Sequence, residues 1–203
     1  MKESMKKVLY FDVETTGLDS KLQDIIQLAG IIEIDGEIKD KFNFCCQPFD
    51  YTTVQQSALK VNKRTIVEIK QFDLPQLVFP KFIALLEKYV DRFDKNDKYY
   101  SAGYNVAFDV RFLTEFFIKN GDDYFGSWFN GISLDPYPYF QLKKYLGQLK
   151  APNLRLETMA EHFGLAINAH NAMSDIEVTR ILMKKVLDQL ASLKPKKKRR
   201  KKQ

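Results

Sequence analysis

The stretch VLYFDVETTGLD, residues 8–19, decides how this chain is read. Its opening, VLYFDV, is apolar except for one acid, and its branched and aromatic side chains favour a buried strand. Side chains alternate faces along a strand, so Asp12 and Glu14, two positions apart, leave from the same face. The run then breaks at Thr15-Thr16-Gly17, where the chain turns away. Two carboxylates held together on a sheet repel each other unless a cation sits between them. A divalent ion such as Mg²⁺ or Mn²⁺, which takes oxygen ligands, is the natural candidate.

Working outward, residues 8–13 form a first strand. Residues 25–34 are apolar or alternating, and Asp35-Gly36 is a two-residue hairpin signal leading into residues 37–46. That gives a three-stranded antiparallel start. Residues 48–80 mix polar side chains with Pro75 and Pro80 and predict short helices and loops. Residues 82–93 carry apolar side chains at helical spacing, and 94–98 are a charged turn. A strand over 99–104 and a helix over 106–119 follow, the latter stopped by Asn120-Gly121. A further strand at 131–134 ends at Asp135-Pro136, and 139–149 and 154–163 read as helices. The last helix is predicted to begin at Ser174, with Glu177 in the capping-box position, and to run to about residue 193. A meander followed by alternating strands and helices implies an α/β fold with a mixed five-stranded sheet flanked by helices.

Length and composition bound the function. The 203 residues suffice for one domain with a full core, assigned to 1–193, and 45% apolar residues suit a globular protein. No run approaches the roughly 18 apolar residues of a membrane span, and the start MKESMKK reads as no secretory signal. Adjacent Cys45 and Cys46 suit neither a disulfide nor a zinc site, so a reducing, cytoplasmic setting is expected. The net charge of +6 hides an asymmetry: residues 194–203, KPKKKRRKKQ, carry eight cations, leaving the other 193 residues at −2. Such a run has nothing to bury and repels itself, so it reads as a disordered tail. It suits a solubilising end, a tether for nucleic-acid phosphates or, in a eukaryote, a nuclear-localisation signal.

Two further clusters carry chemistry. In Tyr104-Asn105-Val106-Ala107-Phe108-Asp109, the acid falls in the first turn of a helix, where its charge is favoured on structural grounds alone. In His170-Asn171-Ala172-Met173-Ser174-Asp175, an imidazole stands five residues before another helix-opening acid. Each is unremarkable alone. Together, Asp12-x-Glu14 with Thr15-Thr16-Gly17, then Asn105-x-x-Phe108-Asp109, then His170-x-x-x-x-Asp175 resemble the three motifs of the DEDDh 3′→5′ exonucleases, in order and spacing. The helix segment LETMAEHFGL is also similar to that family, and the resemblance covers residues 7–187. The second histidine, His162, lies within that segment and reads as a surface residue.

The resemblance implies a ribonuclease H-like fold and hydrolysis of phosphodiester bonds at the 3′ end of single-stranded nucleic acid. DNA is favoured over RNA as substrate, and nucleoside 5′-monophosphates would be released. It implies two divalent ions, Mg²⁺ or Mn²⁺, held by Asp12, Glu14, Asp109 and Asp175, with His170 as general base. By the same resemblance the backbone at Thr15 and Thr16 would hold the terminal 3′-OH. Leu18 would wedge between the last two bases, although a core leucine is the alternative. Phe108, with Asn105 nearby, would pack beside the terminal base unless it serves the core. Where some relatives have His before the second-motif Asn, this chain has Tyr104. Proofreading subunits of bacterial replicative polymerases, single-strand degraders and RNA-trimming enzymes share these motifs. A DNA polymerase is therefore a candidate partner, and an exoribonuclease or a silent binding module remain alternatives.

Overall fold

The computed structural model describes residues 5–168 and 171–193. Strand β1, Lys7–Thr15, pairs antiparallel with β2, Ile25–Ile34, which pairs antiparallel with β3, Glu37–Cys45. At the β2–β3 turn, Asp35 has φ 51° and Gly36 φ 87°, the paired left-handed conformation that a tight hairpin turn requires. On the other side of β1 lie two parallel strands, β4, Tyr99–Ala102, and β5, Phe129–Leu134. The order β3-β2-β1-β4-β5 puts β1 at the centre of the mixed five-stranded sheet the sequence predicts.

Helices cover both faces. Between β3 and β4 come α1 (Gln56–Val61), α2 (Ile66–Ile69) and α3 (Pro75–Glu87); between β4 and β5 come α4 (Ala107–Lys119) and α5 (Phe125–Trp128). After β5 follow α6 (Pro136–Tyr145), α7 (Leu156–His162) and α8 (Ala172–Ser192). The period of two in β1 sorts the core. Leu9, Phe11 and Val13 pack with Phe79, Phe82, Phe112, Phe116 and Phe117 of α3 and α4. Val8 and Tyr10 pack on the opposite face with Ile176, Leu182 and Val186 of α8. Asp12 and Glu14 continue the Val8–Tyr10 series, so their side chains leave toward the α8 face.

Several boundaries differ from the sequence expectation. The helix expected over 82–93 is α3, which begins at Pro75 and ends at Glu87. Pro75 occupies the first helical position, where no N–H is needed, and the burial of Val78, Phe79, Phe82, Leu85 and Leu86 outweighs the one hydrogen bond lost at Pro80. Beyond Glu87 the backbone N–H groups of Tyr89 and Val90 both turn back to the Leu86 carbonyl, and Phe93 is 91% exposed rather than on the apolar face. The last helix starts two residues earlier than expected, because Asn171 caps it by accepting from the Ser174 N–H at 3.1 Å. Ser174 is therefore inside the helix, and Glu177 pairs with Lys41 instead of closing a capping box. The short helix α5 was not expected from the sequence at all. The basic run 194–203 lies outside the described residues.

Candidate active site

The site begins with a mismatch in strand length. β4 stops at Ala102, opposite Tyr10, while β1 runs on to Thr15. Beyond Tyr10 the β4 side of β1 therefore has no strand to pair with. The N-terminus of α4 fills that place: Asp109 Oδ1 accepts the Val13 N–H at 3.1 Å. Gly103 makes the approach possible, since a Cβ there would lie 2.8 Å from Val106 Cγ2 and 3.1 Å from the Phe11 carbonyl oxygen. Asp109 is thereby buried at 5% exposure, beside the strand that carries Asp12 and Glu14.

The third element is α8. Its first turn carries Asp175, whose N–H donates to the Asn171 carbonyl, and the helix packs along the Val8–Tyr10 face of β1. Asp12 and Asp175 line one small cavity of about 180 Å³ with Tyr10, Gly103, Tyr104 and Leu156. The acids act on one another's charge. Burial raises the Asp12 carboxyl well above its ordinary range, and the charges of Asp109, Glu14 and Asp175 raise it further. Asp109 is pushed up to about 7, chiefly by burial; its bonds from the Val13 and Asp109 N–H groups oppose the shift, and Asp135 and Glu14 add to it. Among the described residues no three His, Cys, Asp or Glu side chains converge closely enough to hold a metal ion as they stand. The donor set nevertheless fits hard divalent cations, because four carboxylates within mutual electrostatic reach supply only oxygen ligands and charge that a cation would neutralise.

The turn after β1 is fixed from within. Thr15 Oγ1 donates to the Gly17 carbonyl at 2.7 Å, and Thr16 Oγ1 accepts the Asp24 N–H at 2.9 Å. Both threonine side chains thus brace the turn, and the Thr16 N–H adds a bond to the Asp24 carbonyl at 2.9 Å. Leu18 is 78% exposed, which removes the core reading of this side chain. Phe108 is half-buried against the α3–α4 core, its ring 4.8 Å from that of Phe112, and so has a packing role whatever else it does. Asn105 is held at φ 58°. His162 sits exposed on α7 with its ring edge-on to Phe163. His170 lies outside the described residues.

Sequence reasoning missed Asp135, which it read only as the end of a strand. Its carboxylate accepts the N–H groups of Asn105 and Val106, each at 3.1 Å, and caps α6 through the Tyr137 N–H at 2.9 Å. One acid therefore ties the second-motif turn to the end of β5. An Asp immediately before Pro is a recognisable helix start, but nothing local announces its bonds to residues thirty positions earlier. Asn62 and Gln55 were also missed: Asn62 Nδ2 donates to the Thr15 carbonyl at 2.8 Å and the Gln55 N–H to the Thr16 carbonyl at 2.9 Å.

With this geometry established, a profile of the exonuclease family matches residues 9–183. The chain belongs to the exonuclease family. The matched residues include Asp12, Glu14, Asp109 and Asp175. The chain is 28% identical over 182 residues to a PolC-type DNA polymerase III of Clostridium perfringens, a match covering 86% of this chain and 11% of the polymerase. A PolC-type polymerase of Staphylococcus haemolyticus is 27% identical over 192 residues, covering 93% and 12%. The exonuclease thus spans about a tenth of the length of these curated relatives. E. coli Exonuclease I, solved in complex with a dT13 oligonucleotide, superposes with TM-score 0.75 at 24% identity, over 93% of this chain and 42% of that one. That likeness places the exonuclease in the ribonuclease H-like fold.

Proposed function

We propose that this exonuclease removes nucleotides one at a time from the 3′ end of single-stranded DNA, releasing nucleoside 5′-monophosphates. The observation that carries the reading is the half-buried Asp12 lining one cavity with Asp175, beside Asp109, which is bonded to the Val13 N–H of the same strand. In this reading those four acids hold two divalent ions, Mg²⁺ or Mn²⁺. When bound, such ions lower the pKa of an attacking water and neutralise charge on the phosphate oxygens. Asp12, central among the acids, would contact both ions, Glu14 and Asp175 one of them, and Asp109 the other. β1 carries Asp12 and Glu14, Asp109 is tied to it through the Val13 N–H, and Asp135 fixes Asn105 and the start of α4 beside them. His170 takes the proton of the water at neutral pH.

The backbone of the Thr15–Thr16 turn receives the terminal 3′-OH, and exposed Leu18 enters between the last two bases. An end-gripping turn explains why hydrolysis begins at a terminus. DNA is preferred over RNA on the strength of the relatives, which are DNA polymerases, and of Exonuclease I carrying an oligodeoxynucleotide. The same relatives support proofreading beside a DNA polymerase as the biological role. Among the described residues no helix is long and apolar enough to cross a membrane. We assign the catalytic unit to residues 1–193 and read the basic tail 194–203 as a tether for nucleic acid.

The test uses 5′-labelled single-stranded DNA and RNA of one sequence, with Mg²⁺ or with EDTA, resolved on a gel. A ladder shortening from the 3′ end only with metal, and faster on DNA, is the expected result. Shortening in EDTA would refute the metal assignment, and faster loss of RNA would reverse the substrate.

A further inference from the structure

The segment behind the Thr15–Thr16 turn differs in charge from the rest of the body. Residues 51–67 contain Lys60, Lys63 and Arg64 and no acid, on a body whose net charge without the tail is −2. The segment is attached directly to the turn through the Asn62–Thr15 and Gln55–Thr16 hydrogen bonds. Two exposed apolar side chains, Leu18 on the turn and Val61 at the end of α1, belong to the same pair of linked segments.

The end of α1 is unusual in one respect. The Arg64 N–H donates to the Leu59 carbonyl at 3.0 Å and the Lys63 N–H to the Lys60 carbonyl at 3.4 Å, the double closure that ends many helices. This closure needs a left-handed residue one step past the cap, where glycine alone carries no steric penalty. Here that residue is Lys63, at φ 53°. A helix dipole accounts for a cation at Lys60, within the last turn. It does not account for a left-handed lysine beyond the cap, where glycine would close the same motif without strain. Strain of this kind collects at functional positions. Lys60 and Lys63 are both exposed, and among the described residues neither makes a hydrogen bond or an ion pair through its ammonium group. Arg64, by contrast, is engaged by Glu68 and Gln27.

We propose that Lys60 and Lys63 form a phosphate-binding rim that grips the single strand just upstream of the nucleotide being removed. The inference rests on the exonuclease reading of the site and adds to it a grip on the part of the strand that stays behind. In this proposal a strand whose 3′ end lies at the Thr15–Thr16 turn passes the adjoining segment, which is bonded to that turn. Two flexible ammonium groups there meet successive phosphates without reading sequence.

The test measures binding of a fluorescein-labelled oligo(dT) by anisotropy in EDTA, so that nothing is cut, across about 50–300 mM salt. Each phosphate contact on a single strand contributes roughly 0.7 to the slope of log affinity against log salt. Lys60→Ala and Lys63→Gly should each reduce the slope by about 0.7, and together by about 1.4. Lys63→Arg should retain the slope of the unaltered protein. Lys63→Gly keeps the helix closure and relieves its strain, so its melting temperature should not fall, which separates lost grip from lost fold. A double variant with the slope of the unaltered protein would overturn the proposal. Separately, the unaltered protein is offered p-nitrophenyl thymidine 5′-phosphate with Mg²⁺. Failure to hydrolyse it would count against the exonuclease reading, whatever the lysines do to binding.

Discussion

Replacing Asp135 with alanine removes three backbone hydrogen bonds at once, and the structure allows the loss to be sized. The Tyr137 N–H bond is a helix cap, worth about 1 kcal/mol. The bonds from Asn105 and Val106 reach a charged acceptor, worth about 1.5 kcal/mol each. The turn is only half-buried, so water recovers roughly half of those two, and the total is about 2–3 kcal/mol. For a chain of this size each kcal/mol moves the melting temperature by about 2–4 °C, so Asp135→Ala should melt about 4–12 °C lower. Asp135→Asn keeps Oδ1 for Asn105 and Tyr137 but turns an amide nitrogen toward the Val106 N–H, and should lose about half as much. Because the released turn carries Asn105 and leads into Asp109, both KM and the Mg²⁺ concentration for half-maximal rate should rise. Thermal melting followed by circular dichroism, with steady-state kinetics on a labelled oligonucleotide, measures all of this. If Asp135→Ala melts within about 1 °C of the unaltered protein, the carboxylate does not tie the second-motif turn to β5.

Three other outcomes are expected. Asp12→Ala and Asp175→Ala should abolish Mg²⁺-dependent turnover while melting no lower than the unaltered protein, since each removes a source of like-charge repulsion; retained activity in either would remove that acid from the reaction. The folded protein holds a proton on Asp109 up to about pH 7, against 3.8 for the ordinary group, so metal-free protein binds more protons folded than unfolded over that window. Its stability should therefore fall as pH rises from about 4 toward 7, and the raised Asp12 carboxyl acts in the same direction. Melting scans in EDTA across about pH 5–8 check this; Mg²⁺ should offset most of the loss at the upper end, and a rising trend would contradict the sign. His170→Ala should slow single-turnover hydrolysis by roughly 10²- to 10⁴-fold, the usual contribution of a positioned base. A change below tenfold would make another group the base.

Much of the sheet was legible because its signals are local. The period of two in β1 and the Asp35-Gly36 pair act over a few residues, and the tertiary structure keeps them. Pro75 and Pro80 misled because a proline stops a helix in one context and starts or rides within it in another, and burial on the α3 face decides which. The end of α1 was hidden for a related reason: Lys63 stands where a glycine would have announced the stop. At the site, the acids were findable by residue type and spacing, whereas Asp135 beyond its local helix cap, and Gln55 and Asn62 toward the Thr15–Thr16 turn, act through contacts between segments far apart in sequence. No pattern along the chain encodes which backbone group they reach.

The stop of β4 at Ala102 also has a consequence for how this fold tolerates change. The pairing that would carry the sheet past Tyr10 is withheld, and Asp109 occupies the vacated place at Val13. An insertion that lengthened β4 by even two residues would let it zip onto β1, expel the start of α4 and produce a more regular sheet. The repaired sheet would have no room for the fourth acid, so regularity and catalysis are alternatives at this edge. Length changes in the β4–α4 connection should therefore be rarer among working variants than changes in the exposed loops at the other end of the sheet.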